Sequence, residues 1–84
     1  MAKIVGCRRV DYVSRRTSNP VKGYSFFMTE GREGIVGEAA FDCFLSDERA
    51  SDFMGQFKTL PDVVGLEVDI RYDRFGHPTE LTLI

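Results

Sequence analysis

At 84 residues, with 43% hydrophobic and 29% charged side chains, the chain has ordinary globular composition. This excludes a disordered polymer and leaves room for one domain, residues 1–84. No apolar run approaches the ~20 residues of a membrane helix. Two cysteines and one histidine match no common zinc pattern, so neither a metal nor a cofactor is expected.

The formal charge of −2 conceals an asymmetry. Residues 1–24 hold Lys3, Arg8, Arg9, Arg15, Arg16 and Lys22 against Asp11 alone, a net +5. Residues 25–84 hold five basic and twelve acidic side chains, a net −7, which restores −2 for the whole. Basic charge gathered at one end of a chain can build a one-sided positive surface, the footprint of a phosphate partner. The N-terminal run MAKIVGCRRV has no apolar segment of the signal-peptide kind, so a cytoplasmic protein is expected.

Lys3 to Ser14 reads as a long first strand. Val10 and Tyr12 share one face; Arg9, Asp11 and Val13 share the other. Gly6 marks a bulge or sharp bend. RRTSNPVKG then reads as a hairpin loop, with Asn19-Pro20 and Gly23 as turn residues and Arg15, Arg16 and Lys22 as a basic rim. Tyr24 to Thr29 is a second strand in which Phe26 and Phe27 point to opposite sides; Tyr24, Phe26 and Met28 make the more apolar face, so Phe27 is expected outside.

EGREGIVGE, with three glycines, is a loop. Glu38 to Ser46 is a third strand with Phe41, Cys43 and Leu45 on one face. Cys7 and Cys43 both fall in strand-like runs and read as buried, reduced thiols.

Ser46 is a good N-cap, and Asp47 and Glu48 place negative charge at the positive end of a helix. Ala50, Phe53, Met54 and Phe57 form one apolar stripe, so the spacing predicts an amphipathic helix over 47–57, with Gly55 weakening its last turn. Leu66 to Asp73 alternates as a fourth strand with Leu66, Val68, Ile70 and Tyr72 inward; RFGH turns it, and Pro78 to Ile84 returns with Leu81 and Leu83 on one face.

The predicted order is β-β-β-α-β-β: an all-β chain with one short helix. That is the layout of a five-stranded OB-fold-like barrel; an SH3-like barrel or an open α+β sheet are the alternatives. No nucleophile–base pair is evident without His77, and no phosphate-binding glycine motif is present, so an enzyme is not expected. Binding fits better. Bases stack on aromatic rings while arginines follow phosphates. An OB-fold would bring its ligand across strands two and three, between the first and last hairpin loops. Those loops here are SRRTSNPVKG and DRFGHP. The candidate nucleic-acid-binding residues are Arg8, Tyr12, Arg15, Arg16, Lys22, Tyr24, Phe27, Arg74 and Phe75. Phe75, at a hairpin tip beside Arg74, is the candidate stacking platform.

Two stretches carry a resemblance. RFGHPTELTLI resembles the closing hairpin of small phage and plasmid single-stranded-DNA-binding proteins with OB-folds, and YVSRRTSNPVKGYSFF resembles their first hairpin. The chain also resembles small proteins of unknown function carried by mobile elements of Gram-positive bacteria. The first resemblance implies cooperative, sequence-tolerant binding of single-stranded DNA, often by a homodimer. The other expectation is a small protein-interaction module that uses the same aromatics or a free strand edge.

Overall fold

The computed structural model describes residues 2–84. Five strands, β1 (Ala2–Val13), β2 (Pro20–Glu30), β3 (Ala39–Ser46), β4 (Glu67–Tyr72) and β5 (Pro78–Leu83), form one antiparallel sheet in the order β3-β2-β1-β4-β5. One helix, α1 (Asp47–Met54), and a 3₁₀ turn, Leu60–Val63, lie between β3 and β4. No helix among the described residues is long and apolar enough to cross a membrane.

The expected closure into a barrel is not observed. β3 and β5 are the edges of the sheet, and no ladder joins them among the described residues. The two edges approach one another without pairing, and α1 packs against β2, β3 and β5 together beside them. Ala50 and Phe53 of α1 and Val63 of the 3₁₀ turn join Ile4, Phe26, Met28, Leu45, Val68 and Leu81 in one buried cluster. Phe26 and Phe53 meet edge to face, with ring centroids 5.8 Å apart. Each fully buried side chain of this size stabilises the fold by about 1.5–3 kcal/mol relative to exposure.

The bulge signalled by Gly6 is present. Ile4 pairs with Met28 and Gly6 pairs with Phe27, which leaves Val5 as the extra residue. The insertion resets the alternation, so Ile4 and Cys7, three residues apart, both face the core side of β2. Cys7 and Cys43 pair with the two flanks of Phe26. They are two strand spacings apart, roughly 9–10 Å, which is too far for a disulfide. Burial raises both thiols, Cys43 to about 11.

Three boundaries differ from the sequence reading. β2 begins at Pro20 rather than Tyr24, and the loop is only Ser14–Asn19. Ser18 takes the left-handed turn there, at φ 58°, and its N–H donates to the Ser14 carbonyl at 2.8 Å. α1 stops at Met54 instead of running to residue 57, because Gly55 caps it. Tighter turn bonds from Gln56 to Phe53 and from Phe57 to Met54 carry the chain on, so Phe57 still reaches Phe53, with centroids 5.2 Å apart. Tyr72, expected inward, is exposed: the register slips between Arg71 and Tyr72 as the last hairpin turns.

Candidate nucleic-acid interface

With α1 covering one face of the sheet, the opposite face of β1, β2 and β3 is left to solvent. The ladders define its rows. Tyr12 lies opposite Val21, Val10 opposite Gly23, Arg8 opposite Ser25 and then Phe44, and Gly6 opposite Phe27 and then Asp42. Arg8, Val10, Tyr12, Val21, Ser25 and Phe44 line a groove of about 310 Å³.

The groove exists because of two small residues. Gly23 has no side chain, and the Phe44 ring lies across the space this leaves; a Cβ there would come within 2.8 Å of Phe44 Cζ and press on the Leu45 carbonyl. Ser25, between Arg8 and Phe44, is short enough to form a floor rather than a ridge. Around it Tyr12, Phe27 and Phe44 are 56%, 41% and 40% exposed. Three half-exposed rings on neighbouring strands are a large apolar area to leave in water, which is the usual sign of a binding surface.

The candidate residues divide between the two faces. Arg8, Tyr12 and Phe27 share the outer face. Phe26, the partner of Phe27 in the alternation, is fully buried. Arg15 and Arg16 are exposed in the Ser14–Asn19 loop, just beyond the Tyr12–Val21 end of the groove.

Tyr24 and Lys22 do not join them, because strand alternation turns both to the α1 side. Tyr24 packs against the core beneath the Arg9 guanidinium, 4.9 Å from its ring centroid. Arg9 holds the Asp47 carboxylate with both terminal nitrogens, one of them at 3.1 Å. That hydrogen bonding keeps Asp47 below the usual carboxylate range, with a smaller contribution from the charge on Lys22. Arg9, stacked over Tyr24 and bonded to Asp47, therefore anchors the start of α1 to the first hairpin, and Lys22 lies on the same side of the sheet.

Arg74 and Phe75 form a second, separate patch. Asp73 builds the turn: its Oδ1 accepts from the N–H groups of Phe75 and His77, each at 2.9 Å. Those bonds, that from His77 first, pull the Asp73 carboxyl below its ordinary value. Gly76 supplies the left-handed residue at φ 80°. Phe75 is 69% exposed, with the Arg74 guanidinium 4.9 Å over its ring.

The sequence reading brought this tip and the Ser14–Asn19 loop to one site; the topology separates them. Among the described residues β4 pairs with β1 at Ala2 and Lys3, and it runs away from Val13. Arg49 of α1 donates to the Pro78 carbonyl at 3.3 Å, which docks the last hairpin beside the helix.

Phe44, Val10, Val21 and Ser25 were missed by sequence reasoning. The signal for Phe44 was present: it alternates against Cys43 and Leu45, so it had to face outward. Gly23, read as a turn residue, hid the groove.

No known protein family, curated protein or solved structure matches this chain.

Proposed function

We propose that the protein binds single-stranded nucleic acid, single-stranded DNA foremost, across the outer face of β1, β2 and β3. The observation that carries this reading is the strip of half-exposed rings, Tyr12, Phe44 and Phe27, with Arg8 among them and Arg15 and Arg16 at one end. Successive bases stack on the rings, which accept any base because every base has a π-face. Arg15 and Arg16 follow the phosphates. Arg74 and Phe75 offer an auxiliary contact beside α1. The order β3-β2-β1-β4-β5 is compatible with this reading, since a five-stranded Greek-key barrel cut between its third and fifth strands would have the same order.

Backbone amide shifts test the location. Adding oligo-dT to isotope-labelled protein is expected to move resonances of residues 8–12, 21–27 and 42–44 and to leave α1 in place. Shifts confined to α1 and the Asp73–His77 turn would place binding on the other face.

A second reading is favoured by one observation. Asp42 stands beside Phe27 on the exposed edge strand β3, and a carboxylate there opposes phosphate while an unpaired strand edge suits an added peptide strand. On that reading the rings hold a protein segment, and affinity depends little on salt.

A further inference from the structure

Two polar groups of the outer groove, the buried Ser25 and the exposed Arg8, have no partner among the described residues. Ser25 is only 8% exposed and is the buried polar residue of the fold; it lines the groove, and its hydroxyl makes no hydrogen bond among the described residues. Arg8 stands directly opposite it in the β1–β2 ladder, lines the same groove and has no ion pair or hydrogen bond among the described residues. Among the described residues only the Thr29 hydroxyl is both fully buried and unpartnered, so the Ser25 hydroxyl is open to the groove and free to meet a ligand there. The walls above the pair are apolar or aromatic: Val10, Tyr12, Val21 and Phe44. At about 310 Å³ the space sits at the small end of ligand clefts, which suits one flat ring rather than a run of bases.

The chemistry of the floor selects among rings. A guanidinium donates and never accepts, and its fork suits two acceptors side by side. Guanine presents such a pair, O6 and N7. Adenine places an amino donor beside N7. A free single strand also bares its Watson–Crick edges, where cytosine sets O2 beside N3, so cytosine is the competitor that the test includes. We infer that the groove is a guanine-reading subsite: one base of the bound strand enters between Tyr12 and Phe44, Arg8 donates to its O6 and N7, and the Ser25 hydroxyl completes the polar edge. This rests on the single-strand reading above and adds to it a preferred base at one position of the site.

The experiment compares binding of oligo-dT strands of roughly 12 nucleotides carrying a single central dG, dA, dC or 7-deaza-dG, by fluorescence anisotropy at one salt concentration. The dG strand is expected to bind about five- to ten-fold more tightly than the dA strand, the scale of one good bidentate pair. Replacing N7 by carbon in 7-deaza-dG is expected to abolish most of that gain. Arg8→Met, which removes every donor, is expected to bring the strands to one affinity, and Ser25→Ala to narrow the dG advantage. Equal binding of the dG and dA strands by the wild-type protein, or binding of the dC strand as tight as that of dG, would overturn the subsite and leave the broader reading standing. Failure of every strand to bind would overturn both.

Discussion

The Phe44 ring lies across the backbone of Gly23 on the adjacent strand, where a Cβ would come within 2.8 Å of the ring. This contact shapes the outer face, because it seats an aromatic from β3 over β2 and walls the groove that Arg8 and Ser25 floor. Its first consequence concerns stability. Gly23→Ala forces a methyl group against the Leu45 carbonyl and the Phe44 ring. A side chain cannot turn away from backbone, so the substitution is expected to destabilise the protein by about 2–3 kcal/mol or more. Chemical denaturation of the variant checks this.

Phe44 and Phe75 separate the two exposed aromatic patches. Phe44→Ala is expected to weaken binding of oligo-dT by about 1–3 kcal/mol, the value of one stacked base. Phe75→Ala, at a tip with 69% exposure, is expected to weaken it less and to leave the melting temperature nearly unchanged. Anisotropy with each variant decides. The reverse order of losses would move the interface to the α1 side.

Acid stability follows from Asp47 and Asp73. Both carboxyls sit below the ordinary value of 3.8, Asp47 through its hydrogen bonds to Arg9 and Asp73 through backbone N–H donors from His77 and Phe75. A carboxylate depressed in the folded state stabilises it above the unfolded value, and that contribution is lost as pH falls through the folded one. Melting temperature is therefore expected to fall progressively below about pH 4. Asp47→Asn should lower the melting temperature at pH 7 and flatten part of the acid decline. A wild-type profile unchanged down to pH 2 would show that neither carboxylate is held this way.

Thr29 has a buried hydroxyl with no hydrogen-bond partner among the described residues. Thr29→Val keeps the shape and removes the unmatched oxygen, so it is expected to raise stability by about 1 kcal/mol, read from the denaturation midpoint. β-branching is retained, so strand preference is not lost.

Much of the scaffold was legible because it depends on local rules. Alternation separated Phe26 from Phe27, Ser46 announced the start of α1, and Gly6 announced the bulge. What was not legible depends on distant partners. Whether β3 and β5 pair depends on how segments far apart in the chain come together, and nothing in either strand alone encodes that. Gly23 resembles a turn residue until Phe44 is known to cross it. Tyr24 was grouped with Phe27 as a stacking ring, although alternation alone sends the two to opposite faces; Arg9, fifteen residues earlier in the chain, covers it. The Asp73–His77 tip and the Ser14–Asn19 loop are each recognisable as turns, but their separation follows from the short β1–β4 ladder.

The most direct test of single-strand binding is fluorescence anisotropy with a labelled oligo-dT of about 20 nucleotides, titrated at low and then at moderate salt. The expected result is micromolar or tighter binding whose log–log dependence on salt has a slope between about −1 and −2. That range brackets about −0.7 per phosphate of a single strand for the two phosphates followed by Arg15 and Arg16. Absence of binding at low salt, where charge attraction is least screened, would contradict it.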